Sequence, residues 1–219
     1  MAQSLPYQTV LLRGAFVAID QTGTGSKVTV PFQYNPAKLT RSLTPRSYQQ
    51  GKDDSQRLTD TPKQSIDLDI QLEATFTNFL GSDLIPPTPL VGLLPQLAAL
   101  ELLISPSSDQ LSTYQTDLES GKLAAVPPVP PRILFVWGPG RVLPVAITSL
   151  TVTEEIFDGL LVPIRASVKA KLEVGSFFGA SATKDREYLL THIKKQELLA
   201  TTARLPGVTG TAATGVLVD

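Results

Sequence analysis

The sequence predicts a mainly β fold of the α+β type: a β-sandwich or β-barrel to which a central flanking helix and a C-terminal helix are added. From 160 to 174, apolar and polar side chains alternate with a period of two, and a similar run spans 66–76. Such alternation places the apolar side chains on one face of a strand. Most of the 18 prolines lie at junctions between such runs, as in β-rich proteins with long loops.

The two alternating runs carry opposite charges on their polar faces. In both, the even positions are apolar, while the odd positions are basic in 160–174 and acidic in 66–76. Facing charges of opposite sign stabilise adjacent antiparallel strands by about 0.2–1 kcal/mol a pair, and the same complementarity could act between subunits. The candidate assembly residues are therefore Asp67, Asp69, Glu73, Arg165, Lys169 and Lys171.

Shorter patterns predict four further strands, at 9–20, 27–34, 133–137 and 145–152. The glycine-rich stretch 22–26 predicts a hairpin turn between the first two. In 145–152 the apolar positions change from odd to even, which predicts a β-bulge near Ser149.

Two stretches without periodicity, 40–65 and 105–131, are predicted to be long exposed loops. Loops of this length are usually functional or mobile. The first is a candidate inter-subunit loop through its basic residues Arg41, Arg46, Lys52, Arg57 and Lys63.

Two helices are predicted. Leu93, Leu97, Leu100 and Ile104 recur at helical spacing, and Pro106 ends that pattern. The charged segment 183–204 has only a narrow apolar stripe, which predicts a helix that is solvated or waits for a partner. The residues after it lack a packing pattern and are expected to be flexible unless bound.

The composition excludes several classes of function. The formal net charge of −1 gives no reason to expect nucleic acid as a partner, and the absence of cysteine excludes disulfides and thiolate metal sites. No signal peptide is recognised, and no apolar run is long enough to span a bilayer, so direct membrane insertion is not expected.

The residues that could carry chemistry are isolated. His192, the only histidine, has no carboxylate or serine at helical spacing and is interpreted as a surface residue, while the adjacent Glu154 and Glu155 would point to opposite faces of a strand. Trp137 either packs in the core or stacks on a sugar. With no nucleophile–base or metal constellation, we expect neither an enzyme nor a cofactor.

Three segments together carry a family resemblance: PFQYNPAKLTRS at 31–42, LLPQLAALELLISP at 93–106, and a longer one at 133–174 that begins ILFVWG and ends LPVAITSLTVTEEIFDGLLVPIRASVKAKLEV. In this order they resemble the tube-adaptor proteins of phage-tail-like contractile injection systems. The resemblance covers about residues 8–176, and it implies a phage tail-tube-like domain over 1–176. Many family members then carry a LysM module, but 177–219 lacks its βααβ pattern and is predicted to be a helix and a flexible tail.

The resemblance also implies a role. The chain would be a non-enzymatic structural adaptor that forms a ring, which we expect to be hexameric, at the junction of the inner tube and the spike or baseplate. Its partners would be copies of itself, the inner-tube protein, and spike, hub and baseplate proteins. It would be cytoplasmic, as part of an assembled particle, and one of its strand faces would line the lumen. The alternative hypothesis is a monomeric β-sandwich that binds a glycan or another ligand.

Overall fold

The computed structural model describes residues 13–19, 28–46, 60–74, 91–121, 127–138, 140–179 and 183–202. Within these ranges the chain forms seven strands and three helices. The strands are β1 (Ala15–Ile19), β2 (Val28–Pro31), β3 (Leu39–Thr44), β4 (Lys63–Glu73), β5 (Arg132–Val136), β6 (Val142–Phe157) and β7 (Pro163–Val174). The helices are α1 (Leu94–Glu101), α2 (Ser108–Glu119) and α3 (Thr183–Thr202).

The strands form a single antiparallel sheet in the order β2-β1-β5-β6-β7-β4-β3. The prediction of a mainly β fold is confirmed, but among the described residues the sheet is not closed into a barrel and no second sheet faces it. Alternation in a sequence shows that one face of a strand is buried without showing what covers it. Helix α1 contributes to that cover, since Leu97 and Leu100 belong to the same core cluster as the strands.

The predicted apolar faces of β4 and β7 are confirmed. Their even positions lie in the core: Ile66, Leu68, Ile70 and Leu72 from β4, and Ala166, Val168, Ala170, Leu172 and Val174 from β7. Three phenylalanines from β1, β5 and the end of β2 pack together beside them: Phe16, Phe32 and Phe135. Strands β4 and β7 are thus buried on one side along most of their length.

The turn between β6 and β7 ends later than the sequence pattern predicts. The strand expected from 160 starts at Pro163, because the carboxylate of Asp158 accepts hydrogen bonds from the backbone N–H groups of Leu160 (2.7 Å) and Val162 (2.9 Å). Leu161 has a φ of 62° and is 81% exposed. The alternation in the sequence therefore begins in the turn, before the first residue of β7.

The predicted β-bulge is confirmed. The pairing of β6 with β7 shifts register between Ile147 and Ser149, and the intervening Thr148 donates its hydroxyl to the Lys171 carbonyl at 3.1 Å. The extra residue keeps both Ile147 and Leu150 against the core, although one position is odd and the other even.

Both predicted loops contain regular structure. Residues 39–44 form β3 and β4 begins at Lys63, so the prediction of a loop is wrong at both ends of 40–65, while 47–59 lie outside the described residues. Within 105–131, α2 begins with a capping box in which Ser107 and Gln110 bond reciprocally to each other's backbone. Because α2 buries none of its residues, its sequence has no apolar periodicity from which the helix could be predicted.

The central helix is largely as predicted, with Pro95 in its first turn. Its buried face differs at one end: Leu103 is buried in place of Ile104, which is 43% exposed. The backbone turns out of the helix after Glu101, so the helical spacing no longer applies to Ile104.

The C-terminal helix α3 packs on its own domain at its N-terminal half. Leu189 is 4% exposed within the core cluster, and Asp185 forms an ion pair with Arg132 at the start of β5. Leu198 and Leu199 in the other half are exposed. The expectation that this helix is solvated or waits for a partner is therefore wrong for its first half, where Leu189 of the narrow apolar stripe packs on its own domain. Of the helices described, none has the length and apolar character needed to cross a membrane.

Candidate assembly face of the sheet

The structure places all six predicted assembly residues on two neighbouring strands. In the antiparallel register of β4 and β7, each acidic residue lies opposite a basic one: Asp67 opposite Lys171, Asp69 opposite Lys169, and Glu73 opposite Arg165. These side chains project from the side of the sheet opposite to the core. We call this surface, with the flanking polar positions of β3 and β6, the charged face.

Ion pairs within the chain connect the two rows. The Arg165 guanidinium lies 2.7 Å from the Glu73 carboxylate, and the Lys171 ammonium lies 3.8 Å from that of Asp67. A further pair, which the sequence analysis did not identify, joins Lys63 to Glu173 at 3.2 Å. All these side chains are between 31% and 60% exposed, so each pair contributes only about 0–1 kcal/mol. The complementary charges were expected to pair either between adjacent strands or between subunits. The structure shows pairs between adjacent strands of one chain.

Rows of hydroxyl side chains flank the charged rows. β3 contributes Thr40, Ser42 and Thr44, and β6 contributes Ser149, Thr151 and Thr153. Between them lies a shallow depression of about 390 Å³, lined by residues that include Lys38, Asp69 and Lys169. These rows were not predicted, although serine and threonine occupy alternate positions in 40–44 and 149–153. The charged face is therefore hydrophilic across four strands.

Glu73 also connects the charged face to the segment after β2. β3 covers β4 only as far as Leu68. Beyond it, the backbone N–H of Glu73 donates to the buried side-chain carbonyl of Gln33 at 2.6 Å, and the Tyr34 hydroxyl donates to the Glu73 carboxylate at 3.3 Å. Desolvation and the negative charge of Glu73 raise the pKa of Tyr34. The side chain of Gln33 thus supplies a hydrogen-bond acceptor to β4 where β3 no longer pairs with it.

Three of the five basic residues of the predicted inter-subunit loop are described, and they lie at different places in the β3–β4 region. Arg41 lies on β3, Lys63 is the first residue of β4, and Arg46 follows β3. Lys52 and Arg57 lie outside the described residues.

The tip of the β6–β7 hairpin is an exposed apolar surface. Ile156, Phe157, Leu160 and Leu161 are between 45% and 81% exposed. We call this surface the apolar tip. Exposed apolar residues that lie together often mark an interaction site.

The other candidates from the sequence have different environments. Trp137 is half-buried, stacks on Phe135 at a centroid distance of 5.9 Å and contacts Phe32, which favours a packing role over sugar binding. Glu154 and Glu155 are both exposed near the end of β6. In the part of the chain that is described, no group of three or more Asp, Glu or His side chains could hold a metal ion.

His192 is not the ordinary surface residue that the sequence suggested. It is half-buried. Burial and the positive charges of Arg41 and Arg141 lower its pKa, while a hydrogen bond with the backbone of Gly140 acts in the opposite direction. Its surroundings come from distant parts of the chain, so its sequence neighbours could not reveal them.

No family model matches the chain, and no curated protein matches it.

Proposed function

We propose that this chain is a non-enzymatic structural adaptor that forms a ring, with six subunits, at the junction of the inner tube and the spike or baseplate of a phage-tail-like contractile injection system. The observation that carries the proposal is the charged face, which is hydrophilic over four strands. Its opposite charges compensate each other within the chain. Such a surface suits the wall of a water-filled lumen, because it offers passing molecules neither an apolar patch nor an extended field of one sign.

The chain also has surfaces suited to joining subunits. A ring forms when one surface of a subunit binds a different surface of the next copy and the rotation closes. The apolar tip gains stability when a neighbour covers it, because its apolar side chains then leave water. The edge strands β2 and β3 each have one side without a strand partner among the described residues, and pairing between copies would continue the sheet.

Electron microscopy of assembled particles tests this function. A tagged chain is expressed together with the tube, spike and baseplate proteins of its own particle, and the particles are purified. We expect a ring of six tagged subunits at the end of the tube. Replacing Leu160 and Leu161 by serine should remove the tag from the particles, whereas replacing the exposed Leu111 of α2 by serine should not. Particles that assemble without the tagged chain would contradict the proposal.

The alternative of a monomeric glycan-binding module has less support. One face of the Trp137 ring is stacked on Phe135, so the aromatic surface that a sugar would need is partly occupied. A monomer in solution that binds glycans, and loses the binding on Trp137→Ala, would favour the alternative.

A further inference from the structure

Exposed apolar side chains lie at both ends of strand β6. The apolar tip includes the last residues of β6, and α3 passes the turn that precedes its first residue. A Cβ placed on Gly140, in that β5–β6 turn, would lie 3.3 Å from the Lys195 ammonium of α3. One helical turn further along α3, Leu198 is 65% exposed and Leu199 is 58% exposed. We call the surface formed by Lys194, Lys195, Leu198 and Leu199 the α3 end.

The apolar tip and the α3 end are too far apart to meet within one chain. Asp185 near the start of α3 pairs with Arg132 at the start of β5, and Lys195 lies at the turn after β5, so α3 runs along β5 towards that turn. Strand β6 runs the opposite way for 16 residues and ends at Phe157 of the apolar tip. At about 3.3 Å per residue, β6 alone spans roughly 50 Å. The two surfaces therefore lie at opposite ends of the strand.

The charges around the two surfaces have opposite signs. The segment 154–161, which carries the apolar tip, contains three carboxylates and no basic residue, and its two glutamates are exposed. The segment 190–202, which carries the α3 end, contains two lysines and a single acidic residue, Glu197. Arg141 follows Gly140 in the turn next to this segment and adds a further positive charge. Each surface is thus apolar with charges beside it, negative at the tip and positive at the α3 end.

We propose that the apolar tip of one copy of this chain packs against the α3 end of the next copy. The inference rests on the proposed ring, and it names the surface that covers the apolar tip there. The contact takes apolar side chains of both copies out of water and brings the carboxylates of the tip near the lysines. Contact between two tips would bring carboxylates together, so repulsion disfavours it. Because the two surfaces differ, the contact is heterologous and repeats from copy to copy until the ring closes.

Sedimentation velocity of the isolated full chain tests the contact by mixing two variants. The tip variant replaces Leu160 and Leu161 by serine, and the α3 variant replaces Leu198 and Leu199 by serine. The unmodified chain should associate between about 10 μM and 1 mM, as expected for a small interface, and each variant alone should stay monomeric. An equimolar mixture should form dimers and nothing larger, because it offers one intact tip and one intact α3 end per pair. Leu111→Ser, at an exposed position of α2, should associate like the unmodified chain.

A charge exchange tests the same contact without removing apolar side chains. Lys194→Glu should weaken the association about threefold or more, because it places a carboxylate of the α3 end near those of the tip. Adding Glu155→Lys to the same chain should restore much of the loss, since opposite charges then face each other again at every contact. The control Lys184→Glu makes the same change at an exposed position near the start of α3 and should leave the association unchanged.

Several outcomes would overturn the contact. Circular dichroism establishes that each variant is folded, and the charge exchange decides if a serine variant is not. The inference is wrong if the unmodified chain stays monomeric up to about 1 mM, if either serine variant alone associates like the unmodified chain, if the mixture stays monomeric, or if Lys184→Glu weakens association as much as Lys194→Glu. Association through other surfaces would contradict this contact and leave the proposed ring intact. Particles that assemble without the chain would contradict the ring, whatever the isolated chain does.

Discussion

Val168 lies in the interior of the sheet. Its substitution is the most direct test that the even positions of β7 face the core. The side chain is fully buried on β7, between Ile70 of β4 and Val152 of β6. Val168→Asp would place a carboxyl group among apolar side chains. The charged face, where cations could pair with it, is on the other side of the strand.

The expected loss is comparable with the whole stability of a domain. Burying a valine side chain contributes about 1.5–3 kcal/mol, and an unpartnered polar group in its place costs roughly 2–7 kcal/mol. Together these effects remove about 4–10 kcal/mol from a free energy of unfolding that is typically about 5–15 kcal/mol. We therefore expect Val168→Asp to prevent folding or to leave only a marginally stable protein.

Urea denaturation followed by far-ultraviolet circular dichroism measures the effect. The matched control is Thr151→Asp on the neighbouring strand, which adds the same carboxylate on the charged face, opposite Lys169. This control should change the free energy of unfolding by about 1 kcal/mol or less. A cooperative transition of Val168→Asp within about 1 kcal/mol of the unmodified protein would refute the assignment of the even positions to the core.

Three further predictions concern the surface pairs and α3. A double-mutant cycle on Glu73 and Arg165 should give a coupling energy below about 1 kcal/mol that decreases in high salt, and a larger, salt-independent coupling would contradict the exposure of this pair. Leu189→Ala should lower the free energy of unfolding by about 2–3 kcal/mol, whereas Leu198→Ala should change it by less than about 0.5 kcal/mol; equal effects in thermal melts would show that α3 does not dock as described. Because the pKa of His192 is lowered in the folded state, the unfolded state binds the proton more readily, so stability should fall as the pH decreases through the ordinary histidine value of about 6.5. In denaturation curves between pH 7 and 5, His192→Gln should lose less stability than the unmodified protein as the pH decreases. An unchanged pH dependence would contradict the lowered pKa of His192.

The alternation of apolar residues predicted the features that depend on one strand and one buried face. The positions of β4 and β7 follow from it, and so does the bulge at Thr148, because an inserted residue changes the phase of the pattern in a visible way. The charge complementarity between the two strands was predicted as well. What the pattern did not decide was whether the pairing partner lay in the same chain.

The missed elements lack an apolar face. Helix α2 buries no residue, and its only signal was the capping pair Ser107 and Gln110. β3 is a mostly exposed edge strand whose only cue is the alternation of hydroxyl side chains. The surroundings of His192 could not be predicted from local patterns, because the charges of Arg41 and Arg141 that lower its pKa belong to distant segments of the chain.

The strand order has a consequence for how the chain folds during synthesis. The central strand β7 receives β4 on one side, yet β4 is synthesised long before β7. Until β7 leaves the ribosome, Ile66, Leu68 and Ile70 belong to a hairpin with only the short, polar β3 beside it. Incomplete hairpins with exposed apolar rows and unpaired edges aggregate readily. We expect the acidic side chains that alternate with these residues to disfavour pairing between nascent copies of β4 by mutual repulsion, until the basic row of β7 is synthesised.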